Sequence, residues 1–312
     1  MFANNFSIVI AILATISLFL FSLKGFAKEL QKAGAEWLER WLGRVTQRRF
    51  GGFLLGAAAT AIIQSSSAVT SIVVALVESG VFSFSNSLAV LLGCNIGTTF
   101  TAWLVTFKIS NLGAILLVVG TILGFLPWRI HLAGKSIFYL GLVLFSLTLI
   151  NNALTPLQQI DEWVEWLSAS NNPFIGVLSG IFITAILQSS SVVSGLVIIL
   201  TGQGLLSVEG AIAVIMGANL GTTSTALIAS LKMGKMARNT ARANFLFNLF
   251  GLIVCFPVIG VLKTFILSLD MEDTYRVATA HLTFNIVVAI ITFPFLGIIG
   301  RWIARRWPVV PV

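Results

Sequence analysis

Gln64-Ser-Ser-Ser-Ala-Val69 recurs 124 residues later as Gln188-Ser-Ser-Ser-Val-Val193. Each copy is followed at the same distance by a second motif, Gly93-Cys-Asn-Ile-Gly-Thr-Thr-Phe-Thr-Ala102 and Gly217-Ala-Asn-Leu-Gly-Thr-Thr-Ser-Thr-Ala226. Aligned without a gap, Gly56–Ala102 and Gly180–Ala226 are identical at 22 of 47 positions. Two unrelated apolar segments would share Leu and Val by composition, but not both motifs and the spacing between them. The chain therefore reads as a duplication. Residues 1–133 form a first repeat, 134–270 a second, and 271–312 add a C-terminal span and a basic end.

The surrounding composition fixes the solvent. Of 312 residues 57% are apolar and 10% charged, against roughly 25% charged in a soluble domain; an ordinary soluble enzyme and a disordered tail are excluded. Apolar segments run over residues 6–23, 52–80, 87–107, 111–126, 136–150, 174–204, 211–231, 243–269 and 277–300, and about 20 such residues cross a bilayer core. The chain is an all-α polytopic membrane protein. Segments 52–80 and 174–204 are too long for one plain span, and QSSS cuts each near its middle. A half of about 14 residues makes roughly 21 Å of helix, so each segment is expected to be a re-entrant helical hairpin, leaving seven full spans.

Charge supports that topology. With both hairpins turning back, Lys24–Arg49, Arg129–Lys135, Lys232–Arg242 and Arg301–Arg306 share one side, and Asp161–Glu165 and Asp270–Asp273 take the other. The positive-inside rule then places the N-terminus outside and the C-terminus inside the cell membrane. The net charge of +8 is thus a topology signal rather than a nucleic-acid footprint. The hairpins enter from opposite faces, so the repeats are inverted, a recurring plan of secondary transporters. Phe6–Leu23 reads as a retained span, not a signal peptide. In Lys28–Phe50, Leu30, Gly34, Trp37, Leu38, Trp41, Leu42 and Val45 fall at helical spacing, predicting a separate amphipathic helix on the cytoplasmic surface. Trp103, Trp128, Trp163, Trp302 and Trp307 lie at segment ends and read as an interfacial belt. Cys94 and Cys255 are isolated, with no disulfide or transition-metal spacing.

The motifs carry the chemistry. Gln64, Ser65, Ser66 and Ser67, with Gln188, Ser189, Ser190 and Ser191, place clustered polar side chains at membrane depth, where they must find partners. A helix starting just after QSSS aims free N–H groups and a positive dipole end at the cluster, a geometry that binds anions. The serine and glutamine oxygens and any freed carbonyls can ligate Na⁺, and the oxygens of Asn95, Thr98, Thr99 and Thr101, with those of Asn219, Thr222, Thr223 and Thr225, form a second wall of the same site. The plain alternative is helix–helix packing, which is all that Gly93, Gly97, Gly217 and Gly221 support by themselves. No fixed charge lies inside the motifs. Helix N-termini supply about half a charge each and bound cations more, so anion binding coupled to cation binding is the consistent scheme.

Paired QSSS motifs, each followed by G-x-N-x-G-T-T, resemble the type II sodium-dependent phosphate cotransporter family. The resemblance covers both repeats and implies Na⁺-driven uptake of inorganic phosphate, with no organic cofactor and with the lipid bilayer as surroundings. It implies that Ser65, Ser66, Ser67, Ser189, Ser190 and Ser191, with Thr98 and Thr222, hold phosphate. Gln64, Gln188, Asn95, Asn219, Thr99, Thr223, Thr101 and Thr225 are then expected to hold Na⁺. An A-H-x-x-F-N element of many bacterial members matches Ala280–Asn285 fully and Ala243–Asn248 except that Asn244 replaces the histidine. Many bacterial members end in a soluble domain of the PhoU type; this chain is expected to lack one, which leaves room for a separate regulator of that type and for a homo-oligomer.

Other functions compete. An intramembrane serine hydrolase needs a base beside its nucleophile, and neither QSSS neighbourhood holds His, Lys, Asp or Glu. A passive anion channel, an exporter, or a transporter of another oxyanion such as sulfate would use the same residue types; phosphate rests on the resemblance. His281, buried in an apolar segment, reads as a packing residue hydrogen-bonded to a neighbouring span, and Glu78 and Glu209 as loop-end charges.

Overall fold

A computed structural model describes residues 2–45, 48–106, 111–126, 129–160 and 169–308. Helix α1 runs over Phe2–Val45; α2 (Arg49–Ile63) and α3 (Ser66–Glu78) form a hairpin, followed by α4 (Phe84–Thr106). α5 (Leu112–Gly124) and α6 (Arg129–Leu154) lead to a second hairpin of α7 (Pro173–Leu187) and α8 (Ser190–Gly202), followed by α9 (Val208–Ser230). α10 (Lys235–Cys255) continues past Pro257 into α11 (Ile259–Leu267), and α12 (Asp273–Thr292) past Pro294 into α13 (Leu296–Arg306). Proline removes a helix donor and kinks the axis at both junctions. The bounds of α2, α3 and α4 map onto those of α7, α8 and α9 at the offset of 124, residue for residue.

Local chemistry explains the break in each hairpin. Gln64 closes α2 in the left-handed region (φ 57°, ψ 27°), its N–H donating to Thr60 O at 2.8 Å. Ser65 then turns extended and accepts from Ala68 N at 3.2 Å, starting α3. Gln188 (φ 54°, ψ 28°) and Ser189, which accepts from Val192 N at 3.4 Å, repeat the arrangement. QSSS is thus a stop and a start: a left-handed C-terminal residue, then a serine N-cap.

Helix packing follows from the glycines. α2 packs along α4 so closely that a Cβ on Gly93 would lie 2.0 Å from Phe53 O; on α9, a Cβ on Gly217 would lie 2.1 Å from Val177 O of α7. The opposite faces of these arms are apolar and outward. Phe50, Leu54 and Ile62 on α2 are exposed, as are Phe174, Leu178, Phe182 and Ile186 on α7, the i, i+4 stripe of a helix that meets lipid. α4 and α9 are mostly buried within the protein.

Six helical segments among the described residues are long and apolar enough to cross a membrane: Phe6–Gly34, Phe84–Thr106, Ala133–Leu157, Val208–Ser230, Lys235–Leu267 and Asp273–Arg306. The seventh expected span, 111–126, is the 13-residue α5, which is short of the bilayer core at about 1.5 Å per residue and packs on α6.

Two expectations are corrected. Lys28–Phe50 is not a separate helix: α1 is continuous to Val45. Nothing between Leu23 and Lys28 ends a helix, because Gly25 is used to seat the Tyr139 ring of α6, where a Cβ would lie 2.2 Å away. The side chains of the stripe beyond Gly34 lie outside the described residues. Trp103 does not sit in an outer belt; it is half-buried against a core shared by α1, α4, α6, α8, α9 and α12, with its ring 6.2 Å from Tyr275. Trp302 is exposed as expected, whereas Trp128, Trp163 and Asp161–Glu165 lie outside the described residues. The two loop-end carboxylates are engaged: Glu78 accepts from Ala237 N at 3.0 Å at the start of α10, and Glu209 pairs with Lys263.

Candidate functional site

The two helix starts meet. Ser66, Ser67 and Ser190 line one polar cavity together with Asn95, Thr98, Asn219, Thr222 and Thr223 from α4 and α9, and with Thr70, Asn244 and Asn248. An adjoining cavity is lined by all eight QSSS residues and by Thr222, Leu23, Lys24 and Ala27. Three expected site residues line neither: Thr99 is buried and donates to Ile96 O, Thr101 bonds Gln64, and Thr225 Oγ1 is buried with no hydrogen-bond partner among the described residues.

Hydrogen-bond bookkeeping separates donors from acceptors. The first N–H groups of a helix have no intrahelical partner. Ser65 and Ser189 cap Ala68 N and Val192 N, which leaves Ser66, Ser67, Ser190 and Ser191 N–H open at the two helix starts. Among the described residues the hydroxyls of Ser66, Ser67 and Ser190 also make no hydrogen bond, so their protons are available. Both dipoles add positive potential there.

The wall across from them is of the other kind. Thr98 Oγ1 donates to Cys94 O at 2.9 Å, Thr222 Oγ1 to Ala218 O at 3.0 Å and Thr223 Oγ1 to Leu220 O at 2.6 Å. A hydroxyl whose single proton is engaged presents only lone pairs. The asparagines are fixed the same way. Asn248 Nδ2 donates to Asn244 O at 2.9 Å, which turns its Oδ1 to receive Asn95 Nδ2 at 3.2 Å. Asn285 Nδ2 donates to His281 O at 2.9 Å, and its Oδ1 receives Asn219 Nδ2 at 3.1 Å. Because each backbone carbonyl can only accept, both amide orientations follow, and Asn95 and Asn219 keep Oδ1 as a free acceptor. Donors for an anion and neutral oxygens for a hard cation therefore share one space.

Thr98 and Thr222, expected among the phosphate ligands, line the cavity with their hydroxyl protons already engaged by backbone carbonyls. Asn248 and Asn285, which orient Asn95 and Asn219, are not among the expected site residues, although the repeated A-x-x-x-F-N carried the signal. Lys24 is the fixed charge that the motifs lack: α1 brings it to the second cavity, where it is exposed. His281 departs from expectation. It is 1% exposed, and both ring nitrogens lack a hydrogen-bond partner among the described residues; Asn285 bonds its backbone carbonyl.

The tips are held unequally. Thr101 Oγ1 donates to Gln64 Oε1 at 3.0 Å and accepts from Ser191 Oγ at 3.3 Å, joining hairpin one, α4 and hairpin two. The equivalent set at offset 124, Gln188, Thr225 and Ser67, is not joined: among the described residues Thr225 Oγ1 has no partner, and Gln188 is exposed.

An all-helical integral membrane protein with two half-membrane hairpins converging on a polar cavity is built as a transporter rather than an enzyme. The comparisons agree: a family model described as Na+/Pi-cotransporter matches residues 18–152 and 158–293, and the chain belongs to that family. It is 31% identical over 274 residues to the uncharacterized protein YqeW of Bacillus subtilis (strain 168), covering 87% of this chain and 89% of that one. It is 31% identical over 224 residues to the putative inorganic phosphate export protein YjbB of Escherichia coli (strain K12), covering 71% of this chain but 41% of the relative. Over 136 residues it is 31% identical to the human sodium-dependent phosphate transport protein 2B, covering 40% of this chain and 20% of the relative. No solved structure gives a significant match.

Proposed function

We propose that the chain moves inorganic phosphate together with Na⁺ by alternating access. One observation carries the reading: the starts of α3 and α8, with their open N–H groups and free serine protons, face acceptor-only oxygens across the same cavity. Phosphate is held by Ser66, Ser67, Ser190 and the adjoining N–H groups. Na⁺ is held by Asn95 and Asn219 Oδ1 with Thr98, Thr222 and Thr223. Two Na⁺ offset the charge of the dianion, and the neutralised complex crosses at far lower cost than a bare charge. In this scheme α5, though only 13 residues long, still counts as a crossing, so that the two repeats, 1–133 and 134–270, are inverted about the cavity, the termini face opposite sides with the N-terminus outside, and the cavity beside Lys24 faces the cytoplasm.

Phosphate rather than sulfate, and Na⁺ as the driving ion, rest on the family. Direction follows the Na⁺ gradient, which gives uptake. Export is the second reading, and the name of the YjbB relative is the observation favouring it. Uptake of ³²P-phosphate into proteoliposomes tests all three points, with an inward Na⁺ gradient against equal K⁺ and against excess unlabelled sulfate. Accumulation above equilibrium that requires Na⁺ and ignores sulfate is expected. Ser66→Ala and Ser190→Ala should each cut uptake about 10- to 100-fold, the scale of a lost hydrogen bond to a charged group, with membrane insertion unchanged. Wild-type uptake in both variants would overturn the site.

A further inference from the structure

We propose that a basic pocket at the start of α10 and the end of α13 binds a phosphate-bearing anion of the kind that an anionic phospholipid headgroup carries. Lys235, Arg238 and Arg242 stand at i, i+3 and i+7 on α10, one face of the helix. Arg306 and Trp307 close the pocket from the end of α13. None of these residues lines the two cavities at the hairpin tips.

The pocket is a built feature, not a loose strip of surface charge. Asn239 is 1% exposed and donates from Nδ2 to Trp307 O at 2.9 Å. Arg242 Nη1 donates to Asn239 Oδ1 at 3.2 Å, and its guanidinium lies 4.7 Å from the centre of the Trp307 ring. These contacts hold the wall in place while the four cations make no ion pair among the described residues. The carboxylate beside them, Glu78, is engaged with Ala237 N. Uncompensated guanidinium groups around a fixed concavity suit the forked oxygens of a phosphate.

Depth argues for a lipid source. Trp302 is 53% exposed and packs edge-on against Trp307 at 5.8 Å, and Ile298 and Phe295 on the same helix are exposed. An apolar, outward stripe that ends in tryptophan marks the level of the headgroups, and basic pockets between helices at that level hold anionic lipids.

The test uses the purified full chain in mild detergent, with bound phosphatidylglycerol and phosphatidylcholine quantified by native mass spectrometry. A parallel titration follows thermal stabilisation by inorganic phosphate. Wild-type protein should retain phosphatidylglycerol at least tenfold over phosphatidylcholine. Lys235→Gln with Arg306→Gln removes two exposed cations that make no hydrogen bond or ion pair among the described residues. At roughly fivefold per cation, the double variant should bind phosphatidylglycerol about 25-fold more weakly. Arg238→Gln serves as an independent second variant should that pair aggregate. Stabilisation by inorganic phosphate that both variants abolish, without lipid discrimination, supports the anion site but assigns it to a free phosphate. Lipid retention and phosphate response equal to wild type in the folded variants would overturn the proposal.

Discussion

Replacing Thr101 by Val and Thr225 by Val should drive the conformational equilibrium in opposite directions. Both changes are near-isosteric and both positions are equivalent in sequence, so a purely local account expects like effects. The structure gives unlike ones. Thr101 Oγ1 makes two hydrogen bonds, to Gln64 and from Ser191, tying both hairpin tips to α4. Losing them leaves partly buried partners unsatisfied, about 1–3 kcal/mol, and weakens this state by a factor of roughly 5 to 150 relative to one in which the tie is open. Thr225 Oγ1 is buried without a partner among the described residues, so Val relieves that burden and should stabilise this state by up to about 1 kcal/mol. In the opposite state, where Gln188, Thr225 and Ser67 take over the tie, the same change costs a bond. The reporter is a cysteine at Ala27, which lines the cavity beside Lys24, placed in a protein carrying Cys94→Ala and Cys255→Ala. Its rate of reaction with a membrane-impermeant maleimide follows the population of the open cavity. The rate should fall in Thr101→Val and hold or rise in Thr225→Val. A shift of the same sign in both, or no shift in either while uptake changes, would refute the exchange of ties between the two halves.

Asn248→Ala and Asn285→Ala remove the groups that fix the Asn95 and Asn219 amides. Each should raise the Na⁺ concentration for half-maximal uptake about tenfold or more, as outer-shell losses do at ion sites, with a smaller change in phosphate affinity. Lys24→Gln should raise the KM for phosphate a few-fold at low ionic strength, leave kcat unchanged, and lose that effect at high salt, where the charge is screened. Gly217→Ala puts a Cβ 2.1 Å from a backbone oxygen of α7, whereas Gly260→Ala meets nothing within 4 Å. The first should lower the melting temperature in detergent by the equivalent of about 1–3 kcal/mol or more, and the second should not move it.

What the sequence disclosed was local. The hairpin breaks were legible because a left-handed Gln and an N-capping Ser act within four residues, and the duplicated motif repeats that chemistry. The glycine contacts were legible because close packing leaves no alternative to glycine. Partners distant in the chain were not. Asn95 meets Asn248 across 153 residues and Asn219 meets Asn285 across 66, and no periodicity encodes such a pairing. Lys24 looked like the start of a basic strip because hydropathy counts its charge but not its direction. The length of α1 was misjudged for the same reason: charges lower the hydropathy without ending the helix. Glu29, only 5% exposed and bonded to Lys32, shows a charge accommodated inside that continuous run.

The two halves differ in two distinct ways, and only one can be exchanged. Gln64, Thr101 and Ser191 have chemically identical counterparts in Gln188, Thr225 and Ser67, so the tie formed in one half can be formed in the other at similar free energy. That is the condition for an empty carrier to visit both states. Asn244 and His281 occupy equivalent places in A-x-x-x-F-N but differ in kind. Asn244 lines the cavity and offers an amide oxygen near Asn248; His281 offers a ring whose two nitrogens have no partner among the described residues, one helical turn before Asn285. No conformational exchange can make these equal. On the proposed Na⁺ sites, the wall built on Asn95 should therefore differ in affinity from the one built on Asn219, and Na⁺ binding at the two should be sequential. His281→Asn, which makes the halves alike at this position, should bring the two Na⁺-binding steps closer together in a titration of uptake.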